Sequence, residues 1–241
     1  MAATALVVQN IPSGGLGRWE PWLAEGGLAA AVVHPYRGEV LPERLRPAYQ
    51  ALVVLGGGFL PDDDERAPWL ARTRDLAREA LAEGVPVFGI CLGGQLLAQV
   101  GGGAVRGSHG QPEFGSTELT LRREASDDPL FRGLPEHPRA IENHVDAITG
   151  LPPDAVWLAA SDGCPYQAFR LGDRAWGVQF HPESSAERIA GWDTGRLSPY
   201  GVDRELLHRA ALADDAGSAE VWRRVALRFA ALAVEGAASA A

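Results

Sequence analysis

The chain has 241 residues, 46% of them hydrophobic and 22% charged, with a net charge of -9, which suits one sizeable α/β domain with a real core. That acidic balance excludes a phosphate-neutralising surface for nucleic acid, and no apolar run of about 18 residues marks a membrane span. All 22 basic residues are arginine, so a Schiff-base lysine and the lysine of a phosphate loop are both excluded. With no charged-then-apolar leader at its start, we expect a cytoplasmic protein without nucleic-acid or membrane partners.

Short apolar runs at 6–9 (LVVQ), 29–33 (AAAVV), 51–55 (ALVVL) and 85–90 (VPVFGI) are bounded by Gly, Pro and Asn and read as buried parallel strands. Helices are predicted between them at 19–25 and 67–83, the second turning Leu70, Leu76, Ala77, Ala80 and Leu81 toward a core. This alternation is the mark of an α/β fold. Leu55 runs into Gly56, Gly57 and Gly58, a glycine loop at the carboxyl end of a strand, where open parallel sheets place ligands. Backbone N–H groups offered to an oxyanion suit it better than a dinucleotide, because no G-x-G-x-x-G follows. Asp62, Asp63 and Asp64 precede the second helix and are read as capping and solvating its start rather than as metal ligands.

At 85–100 (VPVFGICLGGQLLAQV) an apolar strand ends in Gly89-Ile90, meets Cys91, and continues into a segment of helical character. This strand, sharp turn and helix form a nucleophile elbow, with Gly89 and Gly93 leaving room for the turn. The helix start aims its free N–H groups at Cys91 and favours its thiolate. A cysteine buried only for packing is the competing reading. The other cysteine, Cys164, has no Cys or His at metal-site spacing and is read as structural.

The second half is richer in strands, at 116–122, 139–148 and 155–160, with a hairpin of 166–171 and 175–180 across Gly172-Asp173-Arg174. His144 lies in Glu142-Asn143-His144-Val145-Asp146, where it either lines a pocket or is structural. The last strand ends in Gln179-Phe180-His181-Pro182-Glu183. In an extended chain His181 and Glu183 share a face, so the carboxylate can orient the imidazole toward a thiol elsewhere. Beyond a polar loop at 193–200, Val221, Trp222, Val225, Phe229 and Leu232 recur at helical spacing and predict a helical segment over 202–235.

Four segments together resemble the class I glutamine amidotransferase family of the Cys-His-Glu type. They are VVLGGGF at 53–59, GICLGGQLLA at 89–98, NHVD at 143–146 and GVQFHPE at 177–183, in family order within 5–188. The resemblance implies that Cys91 is the nucleophile, His181 the base and then acid, and Glu183 the orienting carboxylate. It further implies an oxyanion hole from Gly57 and the N–H of Leu92, and substrate contacts from Gly58, Gln95 and His144. The family commonly has Gly-Gly-Pro at positions 56–58, so which glycine donates is open. The implied architecture is a mostly parallel sheet flanked by helices in three flavodoxin-like layers, with added antiparallel strands and a C-terminal helical appendage. Residues 1–190 would form the domain, 191–235 the appendage and 236–241 a disordered tail. The implied activity is hydrolysis of the side-chain amide of L-glutamine, or of another γ-glutamyl amide, without cofactor or metal. The resemblance is to free-standing domains, so the ammonia would pass to a separate acceptor synthetase. A stand-alone γ-glutamyl hydrolase and a non-catalytic binding domain of the same fold are the alternatives.

Overall fold

A computed structural model describes residues 3–239. The first half alternates strand and helix: β1 (Ala3–Val8), α1 (Trp19–Glu25), β2 (Leu28–Val33), β3 (Ala51–Val54), α2 (Trp69–Glu83), β4 (Val87–Ile90) and α3 (Leu92–Val100). Strands then dominate, as β5 (Ala104–Arg106), β6 (Glu113–Glu118), β7 (Thr120–Leu121), β8 (Arg139–His144), β9 (Ala147–Gly150), β10 (Ala155–Ala160), β11 (Ala168–Leu171) and β12 (Ala175–Val178). Two helices close the described chain, the short α4 (Thr194–Leu197) and the 36-residue α5 (Arg204–Ser239).

The main sheet has eight strands in the order β2-β1-β3-β4-β12-β11-β10-β7. Pairing is parallel from β2 to β12 and antiparallel beyond it. Side chains alternate across the strands, so each face finds its own helices. Leu6, Val8, Leu52 and Val54 meet α2 and α3 through Leu70, Leu76, Leu96 and Leu97. Ala5, Val7, Val53 and Phe88 meet α1 and α5 through Trp19, Leu23, Trp222 and Phe229. This is the three-layer arrangement that the alternating sequence predicts.

The structure departs from the sequence reading in several places. The expected single strand at 139–148 is two, because the chain turns at Val145-Asp146 and β8 pairs with β6 while β9 pairs with β5. Strand β5, three residues among glycines, carries too little apolar signal to be predicted. Segment 193–200, read as a loop, contains α4 and a 3-10 turn. The last helix runs on through 236–239, part of the expected tail, and residues 240 and 241 lie outside the described chain. Its apolar stripe is core: Trp222, Val225, Phe229, Ala230 and Ala233 are fully buried against the sheet.

Candidate active site

Three chain segments converge at the carboxyl ends of β3, β4 and β12, where a parallel sheet exposes its loops. The first is the elbow between β4 and α3. Cys91 has φ 51° and ψ -108°, the left-handed region that non-glycine residues avoid, at a cost of about 1–3 kcal/mol. Its N–H donates to the Val178 carbonyl at 2.8 Å, which ties the elbow to β12. Glycine is required around it: a Cβ on Gly89 would lie 2.3 Å from the Gly93 carbonyl oxygen, and one on Gly93 would lie 2.0 Å from that of Val54. The amides of Leu92 and Gly93 open α3 and by helix geometry have no acceptor within it.

The second segment follows β12. The strand ends at Val178, so His181 and Glu183 meet through a turn and not as alternate residues of an extended strand. Ser184 N–H donates to the His181 carbonyl, and the His181 N–H is held by the Ile141 carbonyl of β8. Within that turn the Glu183 carboxylate sits 2.8 Å from His181 Nδ1, which leaves Nε2 for the thiol of Cys91. Burial works against a charged imidazole here. The adjacent Glu183 carboxylate and the hydrogen bond with Cys91 outweigh it and hold His181 well above its ordinary value.

The third segment is the glycine loop after β3. Asn10, fully buried, fixes it by donating to the Leu55 carbonyl at 2.7 Å while accepting from Trp69 Nε1 at 2.9 Å. A Cβ on Gly56 would stand 2.9 Å from the His181 ring and 3.5 Å from Cys91 Cβ, so only a glycine leaves room beside these two side chains. Sequence reasoning missed Asn10, whose signal is a lone polar residue at the end of β1.

These segments border a cavity of about 410 Å³ lined by Gly56, Gly57, Gly58, Cys91, His181 and Glu183. Its outer wall comes from residues that the sequence reading left unassigned, among them Ser13, Arg188, Trp192, Asp193 and Arg196. Arg188 donates to the carbonyls of Ser13 and Gly15 and so joins two sides of the rim. Leu92, Gln95 and His144 are not among the lining residues; they lie buried behind the cavity. Gln95 donates to the Asp146 carbonyl and to Gln179 Oε1, each at 3.2 Å. His144 turns Nδ1 to the Asp146 carbonyl and Nε2 to Glu113, both at 3.1 Å.

Glu113, His144 and Cys164 form a second Cys-His-Glu group, distinct from the one at the cavity. Among the described residues it is the group whose ligand atoms lie close enough for a metal, all within 4.8 Å of one another. The Glu113 carboxylate is already occupied by Ser161, Gln167 and His144. Burial and the neighbouring Glu142 push the Cys164 thiol up to about 12, so it is a neutral packing group. Glu142, fully buried beside this cluster, is raised well above an ordinary carboxyl by desolvation and by Glu113.

Residues 29–190 match the family described as glutamine amidotransferase class-I. The chain is 36% identical over 143 residues to a glutamine-hydrolyzing GMP synthase subunit of Methanopyrus kandleri, covering 59% of this chain and 71% of that one. It is 40% identical over 146 residues to the glutamine-hydrolyzing GMP synthase of Aeropyrum pernix, covering 61% of this chain but only 25% of that longer one. A glutamine amidotransferase of Thermotoga maritima superposes with a TM-score of 0.85 at 26% identity, over 95% of this chain and 99% of its own. Among the described residues no helix is long and apolar enough to cross a membrane. The elbow, the imidazole–carboxylate pair and these matches together lead to one conclusion: this chain belongs to the class I glutamine amidotransferase family.

Proposed function

We propose that Cys91, His181 and Glu183 hydrolyse the side-chain amide of glutamine and that the ammonia is consumed by a separate acceptor enzyme. The observation that carries this reading is the strained Cys91 at a helix start, sharing one cavity with an imidazole whose Nδ1 is held by Glu183 at 2.8 Å. Cys91 Sγ attacks the amide carbonyl, and the oxyanion that forms is met by backbone N–H groups of the glycine loop, Gly57 foremost, and of Leu92. His181 gives a proton to the departing nitrogen, leaving a γ-glutamyl thioester. Water then adds to the thioester with His181 as base, releasing glutamate and the free thiol. Glu183 keeps the imidazole turned toward the sulfur through both steps. Gly58 contacts the substrate in this reading, which its position on the cavity wall supports.

The acceptor is a matter of partner chemistry. The chain has no lysine and so no phosphate-loop lysine for activating an acceptor with ATP, and the Methanopyrus relative is itself named as one subunit of a synthase. An ammonia-accepting synthetase on another chain fits both facts. Residues 1–190 with the helical segment 191–235 would then act as one glutaminase unit. The test is glutamate release from glutamine by the purified chain, alone and with synthetases encoded beside it, including one of the GMP synthase type. Stimulation of kcat by one of them is expected. Turnover of a different γ-glutamyl compound, with glutamine untouched under every pairing, would replace this reading by a stand-alone γ-glutamyl hydrolase.

A further inference from the structure

One buried side chain at the sulfur takes no part in these steps. Gln179, fully buried two residues before His181, turns its Nε2 toward Cys91 Sγ at 3.8 Å. An amide can face a sulfur with either end, so its direction must be set from elsewhere. The Asp146 carbonyl only accepts, so Gln95 turns Nε2 to it at 3.2 Å. The same Nε2 supplies its second proton to Gln179 Oε1, also at 3.2 Å, which leaves Nε2 of Gln179 for Cys91. His144 Nδ1 meets the same carbonyl at 3.1 Å, so the turn between β8 and β9 is the fixed point of the whole chain of bonds.

We propose that Gln179 donates a hydrogen bond to the sulfur of Cys91 and stabilises its thiolate, and that Gln95 is a positioning residue that fixes the donor end of Gln179. This deepens the glutaminase reading and rests on it for the role of Cys91. It gives Gln95 this task beside the substrate contact that the family resemblance implies. The charged groups near Cys91 are His181, its partner Glu183, and Glu142 on β8. Gln179 adds a neutral donor to that set, one that does not itself titrate. A hydrogen bond to the charged form of a group favours that form, and an N–H to sulfur does so in the manner of other charge-assisted bonds.

The experiment is the rate of Cys91 alkylation by iodoacetamide as a function of pH, measured on the full chain with Cys164→Ser and followed by peptide mapping. Gln179→Met keeps the length and shape of the side chain and removes the donor. It is expected to move the pH profile upward by about one unit, so that alkylation near pH 7 slows about tenfold while the high-pH plateau is retained. Gln179→Glu keeps an acceptor for Gln95 but turns the donor into an acceptor, and should move the profile further in the same direction. Gln95→Met leaves Gln179 in place, unoriented, and should produce a smaller upward shift. An unchanged profile in a Gln179 variant of native circular dichroism overturns the thiolate role. A Gln95→Met variant with a native profile, whose KM for glutamine rises while kcat holds, overturns the positioning role and leaves Gln95 with the substrate contact alone. Should Gln179→Met fail to fold, Gln179→Glu and Gln95→Met decide the question alone. Alkylation requires no turnover, so a chain that shows the shifts yet leaves glutamine intact with every synthetase tried rejects the glutaminase reading and keeps this one.

Discussion

Cys91 and Cys164 show how far environment separates two residues of one type. Both are buried, at 7% and 1% exposure, but Cys91 lines the cavity at a helix start, whereas desolvation first and the nearby Glu142 second push the Cys164 thiol to about 12. Limiting iodoacetamide should therefore label Cys91 almost exclusively, and predominant labelling of Cys164 would contradict the assignment. In the proposed mechanism His181 transfers protons and Glu183 only orients, so His181→Ala should lose more kcat than Glu183→Gln, both measured on folded protein. Glu142 gives a test of sign. Its carboxyl is raised in the folded state by burial and Glu113, so it costs no stability while both states hold the proton, below about pH 4.5. The cost grows as pH rises past that value, where the unfolded chain ionises freely. Glu142→Gln should thus raise Tm at pH 8 and leave it nearly unchanged at pH 4, and a pH-independent change would refute this. The cavity residues Cys91, His181 and Glu183 were legible because each lies in a short motif with a mechanical reason for its spacing. Gln179 and Glu142 were not, since their partners come from segments distant in sequence.

At the level of elements, glycine placement separates packing from catalysis. A Cβ on Gly93 would strike the backbone carbonyl of Val54, and Gly93→Ala should destabilise the fold by about 1–3 kcal/mol or more. A Cβ on Gly56 would instead meet the His181 ring, so Gly56→Ala should cost about 10²-fold in kcat through a displaced imidazole with little change in Tm. Helix α5 belongs to the core as much as the strands do. Trp222 is buried on Phe180 and donates to the Arg139 carbonyl at 2.8 Å. Asp215 on the same helix accepts from Ala186 N–H at 2.8 Å and pairs with Arg18, pinning the turn that carries Glu183. Trp222→Ala should cost about 3–5 kcal/mol in denaturant unfolding, whereas a separable appendage would leave the midpoint of the domain in place. The parallel strands and helices α1 and α2 could be read from apolar runs and 3.6-residue spacing. The break at Val145-Asp146 could not, because no Gly or Pro marks it and only pairing with two different partners, β6 and β5, divides the strands.

For the whole molecule, the sheet brings the ends of β3, β4 and β12 to one edge, and the cavity forms where the glycine loop, the elbow and the turn after β12 meet. Its outer wall, with Arg188, Trp192, Asp193 and Arg196, comes from a segment whose sequence is merely polar, so its place could not be foreseen. If a synthetase docks and tightens the loop at Gly56, Gly57 and Gly58, kcat should rise more than KM falls. Every step of the proposed reaction passes through a γ-glutamyl thioester on Cys91. The most direct measurement is to mix the chain with glutamine, quench in acid at early times and weigh the peptide containing Cys91 by mass spectrometry. A γ-glutamyl adduct on that peptide, absent in Cys91→Ala, is the expected result. Glutamate release with no adduct on Cys91 at any time, or undiminished release by Cys91→Ala, would contradict the account.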